Sequence, residues 1–172
     1  IKMLKVGLVG VGGISGAHIP AWDKMEDVEL VALCDIRPER MEKYEGKRHY
    51  LDFDEMLANE ELDILDICLP TNLHADYAIK AMNNGINVLC EKPISLNRDD
   101  VKRVYNVAQK NNVKFMVAHV IRFWREYEFV KSVYESGKYG KLLFGNMKRL
   151  SAFPAWSWDN WMRDEKRSGF VP

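Results

Sequence analysis

The sequence predicts an α/β fold: a doubly wound parallel sheet with helices on both faces. Two observations carry this. Short apolar segments alternate with segments of helical periodicity from residue 4 to about residue 120. Those apolar segments are near-continuous rather than alternating, as in Val28-Glu29-Leu30-Val31-Ala32-Leu33-Cys34, the pattern of strands covered on both faces. The expected boundary lies at residues 120/121.

Residues 4–9 form the first expected strand, and residues 13–22 the helix after it. Residues 28–34 are the second strand. Pro38 then sits at the start of a helix over 39–44, since proline suits a first helical turn. Asp52, with Glu55 three positions on, reads as an N-cap opening a short helix to Ala58. A strand is expected over 62–69. Ala75, Ala78, Ile79 and Met82 share one helical face, and Asn84-Gly85 closes that helix with a left-handed cap. After a strand over 86–90, Asn97 caps a helix whose apolar face is Val101, Val104, Tyr105 and Ala108. The last strand of this part is residues 113–120. A helix over 125–135 and a strand over 142–150 open the second part, 121–172.

Composition narrows the function classes. The 172 residues are 47% hydrophobic and 29% charged with no net charge, so no basic stripe points to nucleic acid and no polybasic run to a membrane surface. No apolar stretch approaches the roughly 20 residues of a membrane span, and no signal-peptide run opens the chain. Cys34, Cys68 and Cys90 lie in or at the ends of apolar runs without metal-ligand spacing. They read as buried reduced thiols, and the chain as cytoplasmic and metal-free.

The segment Val9-Gly10-Val11-Gly12-Gly13-Ile14-Ser15, with Asp35 ending the next strand, points to a dinucleotide. Gly10 allows a tight turn. Gly12 lets backbone approach a pyrophosphate, and the helix that follows aims its free N–H groups there. Asp35 would accept from the adenosine ribose hydroxyls and repel a 2′-phosphate, which favours NAD over NADP. Arg37 works the other way, since it can pair with a phosphate or stack on adenine. Ser15 stands where a third Gly or Ala is usual.

Doubly wound sheets bind ligands at the carboxyl ends of their strands, so residues just after strands are the further candidates. Asn72 either caps the next helix or faces the ligand. His74 is either a packing residue or a ligand contact, and Arg122 either an ion-pair residue or a site residue. Glu91-Lys92-Pro93 is an awkward sequence for an ordinary turn. A strand-end lysine partly desolvated beside a cofactor is suited to proton transfer, and Pro93 holds Lys92 extended.

Taken in order, Gly10-Val11-Gly12…His18, Cys34-Asp35-Ile36-Arg37, Leu69-Pro70-Thr71-Asn72-Leu73-His74 and Glu91-Lys92-Pro93 resemble the glucose-fructose oxidoreductase / inositol dehydrogenase / rhizopine-catabolism (Gfo/Idh/MocA) family. Arg122-Phe123 and Gly137…Gly140 extend the resemblance over almost the whole chain. It implies an N-terminal Rossmann domain with tightly bound NAD or NADP. The resemblance implies as well a C-terminal α+β domain on an open, mostly antiparallel sheet, for substrate and oligomerisation, of which this chain is expected to hold only the truncated start. The implied reaction is oxidation or reduction of a hydroxyl or carbonyl on a sugar or polyol by a homo-oligomer. By resemblance, Lys92 is the catalytic lysine and the bond before Pro93 is often cis. The implied cofactor residues are Gly10, Val11, Gly12, Gly13, Ile14, Asp35, Ile36, Arg37, Pro70, Thr71, Asn72, His74, Glu91, Lys92 and Arg122. Arg125 departs from the family, which usually has proline there.

Family members also carry an Asp and a His one helical turn apart beside substrate, and that pair is expected beyond residue 172. The chain alone is therefore expected to bind cofactor without turnover. Trp156, Trp158 and Trp161 either wall a sugar pocket, Trp161 being the named substrate candidate, or pack between domains or subunits. An NAD-dependent glycosidase and a silent NAD-binding or regulatory protein remain alternative functions.

Overall fold

The computed structural model describes residues 2–150 and 157–169. Among them, residues 2–118 with 157–169 form one compact unit and residues 119–150 a second.

The first unit is built on a six-stranded sheet: β1 (Leu4–Val9), β2 (Val28–Cys34), β3 (Arg48–Tyr50), β4 (Ile64–Ile67), β5 (Asn87–Cys90) and β6 (Phe115–Val117). All neighbouring pairs are parallel, in the order β3-β2-β1-β4-β5-β6. The chain starts in the middle, winds outward one way and then the other, so the order reverses between β1 and β4. The helices are α1 (Ser15–Trp22), α2 (Phe53–Asn59), α3 (His74–Asn83) and α4 (Arg98–Asn111). On one face Val6, Leu8, Leu30 and Leu33 pack against Ile19 of α1. On the other, Val9, Val31, Leu65 and Ile67 pack against Met56, Ala78, Met82 and Val104 of α2, α3 and α4. Two buried faces explain the continuous apolar runs.

Register brings the strand ends to one level. Val9 pairs with Cys34 and Ile67, Ile67 with Cys90, and Cys90 with Val117. The residues one step on, Gly10, Asp35, Cys68 and Glu91, therefore all leave the sheet at the same edge.

Local chemistry sets the helix ends. The Asp52 carboxylate accepts the Glu55 N–H at 2.9 Å, and the Asn97 side chain accepts from Asp99 and Asp100 at 2.8 and 2.9 Å. Gly85 takes φ +76° after α3. Two expectations need correction. The helix expected over 39–44 is only a 3-10 turn, Pro38–Arg40. Its continuation gives way to β3, a short edge strand that exists because β2 offers a ladder and Glu60 accepts from both Arg48 and Tyr50.

The second unit holds a 3-10 turn (Val120–Phe123) and α5 (Arg125–Glu135). The strand expected over 142–150 is absent: these residues take no regular secondary structure, and Leu143, Phe144, Met147 and Leu150 are exposed. A strand needs a hydrogen-bonding neighbour, and no described segment supplies one. The tail of the first unit has a 3-10 stretch (Trp158–Arg163) and the short α6 (Glu165–Ser168). No helix among the described residues is long and apolar enough to cross a membrane.

Candidate functional site

The turn after β1 is shaped by backbone geometry. Gly10 has φ +92°, and a Cβ there would lie 2.7 Å from the Cys68 carbonyl oxygen. No other residue fits. Gly12 differs, because a Cβ there would meet nothing within 4 Å. Its side faces open space where a phosphate could approach backbone directly. Ser15, the departure from the usual glycine pattern, is buried and its hydroxyl donates to the Gly12 carbonyl at 2.8 Å. The hydroxyl thus ties the turn to the first turn of α1, while Gly13 and Ile14 are exposed above it.

Asp35 is nearly buried. Its Oδ2 accepts the Val11 N–H at 2.8 Å, and its Oδ1 accepts the Arg37 backbone N–H at 2.9 Å and Nε at 3.3 Å. The carboxylate therefore links the ends of β1 and β2 before any ligand arrives. Each carboxylate oxygen accepts about two hydrogen bonds, so Oδ2 retains capacity for a hydroxyl donor. Ile36 is exposed beside it. The Arg37 guanidinium lies 4.4 Å from the centre of the Trp158 ring, a contact the sequence did not suggest. Trp161 is half-buried in the same 3-10 stretch, and Trp156 lies outside the described residues.

The loop after β4 carries Pro70, half-exposed, Thr71, buried, and Asn72, exposed at the same edge. His74 is not at the surface of that edge. It is buried, with Nδ1 2.7 Å from the Pro93 carbonyl oxygen and Nε2 2.8 Å from that of Leu69. Its ring fastens the loop after β4 to the loop after β5.

Glu91 is buried directly after β5. Its Oε2 accepts the Lys92 backbone N–H at 3.1 Å, and its Oε1 lies 3.1 Å from His18 Nε2. Burial pushes the Glu91 carboxyl up, but His18 and the Lys92 N–H outweigh it and hold it below the usual carboxylate range. The Lys92–Pro93 peptide bond is cis. Lys92 itself is exposed. The partial desolvation expected of it is not supplied by the described residues. Arg122 lies in the second unit, exposed, lining with Phe123, Glu128, Lys131, Ser132 and Glu135 an open depression of about 410 Å³.

Two participants were not singled out as site residues from sequence. Asp66 is fully buried within β4, and His18 on α1 spans Asp66 and Glu91. The available signal was an acid inside an otherwise apolar strand, Ile64-Leu65-Asp66-Ile67, which demands a buried partner. Cys34, Cys68 and Cys90 are free and buried, and burial raises all three thiols, Cys34 and Cys68 to about 12.

Residues 4–119 match the model of an oxidoreductase family with an NAD-binding Rossmann fold. Myo-inositol 2-dehydrogenase of Thermotoga maritima is 30% identical over 142 residues, 80% of this chain and 42% of the relative. The 2,7-anhydro-N-acetylneuraminate hydratase of Mediterraneibacter gnavus is 30% identical over 172 residues, covering 98% of this chain and 46% of the relative. Among solved structures, the WlbA dehydrogenase from Bordetella pertussis in complex with NADH and UDP-GlcNAcA superposes with a TM-score of 0.78 at 32% identity, over 81% of this chain and 45% of that one. The chain thus spans less than half the length of these relatives.

Proposed function

The chain belongs to the Gfo/Idh/MocA oxidoreductase family, with its NAD-binding Rossmann fold, and from that premise we propose that it serves an NAD-dependent dehydrogenase of a sugar, polyol or related hydroxyl or carbonyl compound. The carrying observation is the shared level of Gly10, Asp35 and Glu91-Lys92 at one sheet edge, beside the reversal of strand order. In this reading residues 1–120 are the cofactor domain and 121–172 the start of a substrate and oligomerisation domain.

The residues fit the cofactor. The open side of Gly12 leaves room for a pyrophosphate against Val11, Gly13 and Ile14 at the start of α1. Asp35 and Ile36 offer an acceptor and an exposed apolar side chain to an adenosine, with Arg37 beside them. Pro70, Thr71, Asn72, Glu91 and Lys92 border the nicotinamide end, Arg122 is assigned there as well, and Trp161 to substrate. His74 serves by holding the two loops together. When bound, NAD supplies the hydride acceptor or donor.

The chain's own part is acid–base and positional. Lys92 Nζ donates a hydrogen bond to the substrate oxygen and relays charge. In carbonyl reduction it gives that oxygen a proton, and in hydroxyl oxidation the hydroxyl proton goes to the histidine base that the family carries. The contribution is roughly 10²–10⁴-fold in rate for a positioned group. Glu91 holds the Lys92 backbone in place. The protein is further read as a cytoplasmic homo-oligomer acting on small molecules, not on nucleic acid or membranes.

Similarity to the hydratase favours one second reading, a redox-neutral reaction on the same site in which no NADH accumulates. One assay separates the possibilities: NADH fluorescence titration, then a sugar and polyol screen followed by both NADH absorbance and product mass. NADH accumulating with product supports the dehydrogenase, and product without NADH the second reading. Tight NADH binding with no product from any preparation would mean a silent nucleotide-binding protein. Failure to bind NADH would overturn the whole assignment.

A further inference from the structure

Glu91 is joined through His18 to Asp66, and the dehydrogenase reading leaves His18 and Asp66 without a role. Asp66 is fully buried in β4. An isolated carboxylate there costs several kcal/mol, so it must be paired and hydrogen-bonded. Its partners come mainly from one face of α1. His18 Nδ1 lies 2.8 Å from Asp66 Oδ2, and Trp22 Nε1, one turn further on, donates to the same oxygen at 2.7 Å. The Cys68 thiol points at Oδ1 from 3.8 Å.

The second nitrogen of His18 also faces an acid. Nε2 lies 3.1 Å from Glu91 Oε1, so each ring nitrogen faces a carboxylate oxygen. A neutral imidazole has only one N–H; the imidazolium has two and satisfies both. The groups facing the ring are Asp66 and Cys68 from β4 and its end, and Glu91 from the end of β5. Burial works against the charge, but hydrogen bonds from these three raise the His18 pKa to about 12. His18 Nδ1, an Asp66 oxygen and Cys68 Sγ also lie within 4.8 Å of one another. Nδ1 and Oδ2, however, stand at proton-sharing distance, and burial keeps Cys68 a thiol.

We propose that His18, as an imidazolium held between Asp66 and Glu91, is a positioning residue for Lys92. It fixes one oxygen of Glu91, whose other oxygen holds the Lys92 backbone N–H, and so sets how Lys92 leaves strand β5. The ionic chain runs from the sheet interior to the edge where the cofactor reading puts the chemistry. The link to catalysis rests on Lys92 being the catalytic lysine; the ionic chain itself does not.

The test has three readings. Nitrogen-15 NMR of the histidine rings should find both His18 nitrogens protonated from about pH 6 to about pH 9, far above the ordinary histidine range. A neutral His18 ring in that window, or one that loses its N–H signals to added Zn²⁺, overturns the proposal. Hydrogen exchange in His18→Gln should speed the Lys92 amide about tenfold or more, as expected for losing a hydrogen bond to a charged partner, with Leu8 and Leu33 unchanged. Unchanged exchange at Lys92, or equal loosening throughout the sheet, overturns it. Should His18→Gln not fold, Glu91→Gln takes its place, and must both speed the Lys92 amide and lower the His18 pKa. In the active holoenzyme, His18→Gln should lower kcat by about tenfold to a hundredfold with NADH affinity within about twofold, as for a misplaced catalytic group. If Lys92→Ala leaves kcat intact, the catalytic reading fails; if only Lys92→Ala lowers it, the positioning role fails.

Discussion

Gly10 and Gly12 sit two positions apart in one turn, yet a side chain at each has opposite consequences. At Gly10 the positive φ and the nearby Cys68 carbonyl make any Cβ a defect of the fold. Gly10→Ala should lower stability by about 1–2 kcal/mol from φ alone, and more from the clash, seen as a drop in Tm. At Gly12 a Cβ meets nothing, so Gly12→Val should keep the wild-type Tm while weakening NADH binding by about tenfold or more in a fluorescence titration. A Tm loss at Gly12 would show that the turn needs it for structure. Asp35 was legible from its place at the end of a strand, but its bonds to Val11 and Arg37 were not, because they depend on β1 and β2 lying side by side. A charged acceptor contributes about 1.5–3 kcal/mol per hydrogen bond. The protein should therefore bind NADH at least about tenfold more tightly than NADPH, and equal affinities would mean that Arg37 outweighs Asp35.

Elements with local signals were readable, and those made by their neighbours were not. The helix α4 carries its own start signal: Asn97 accepts two backbone N–H groups, and Val104 and Ala108 on one face are buried. Asn97→Ala should cost about 1 kcal/mol in denaturant unfolding, with NADH affinity unchanged. By contrast, β3 is three residues long and its pattern carries no period. It becomes a strand through pairing with Ala32–Cys34 of β2 and the anchoring of Arg48 and Tyr50 on Glu60. Residues 142–150 show the reverse case, strand-like composition without a ladder partner among the described residues. The exposed Leu143, Phe144 and Leu150 should drive self-association of the chain at high concentration. Light scattering should show that Leu143→Lys with Phe144→Lys reduces it; an unchanged mass would remove that segment from the oligomer reading.

Across the whole molecule, the buried ionic chain couples stability to pH. The folded His18 pKa lies above its unfolded value, so its contribution is complete below about pH 6.5 and is lost as pH rises toward about 12. Glu91, held below its unfolded value, acts in the opposite sense and loses its contribution on the acid side. The Tm should therefore fall from about pH 7 to about pH 10, and this slope should flatten in His18→Gln, where the proton retained by the fold is gone. Parallel slopes in the two proteins would show that His18 is neutral when folded.

The sequence by itself determined the parallel α/β architecture, the glycine turn, the strand-end acid and the Glu91-Lys92-Pro93 loop. Each is written in a short window, as a run of apolar residues, a spacing or a turn residue. Tertiary structure alone decided that Ser15 ties the turn to α1, that His74 joins two loops and that Trp158 meets Arg37. It also placed His18 between Asp66 and Glu91, residues from β4 and the end of β5 that lie far apart in the chain. The physical reason is that a buried charge states only that it needs a partner; which partner it finds depends on the order and register in which the strands assemble.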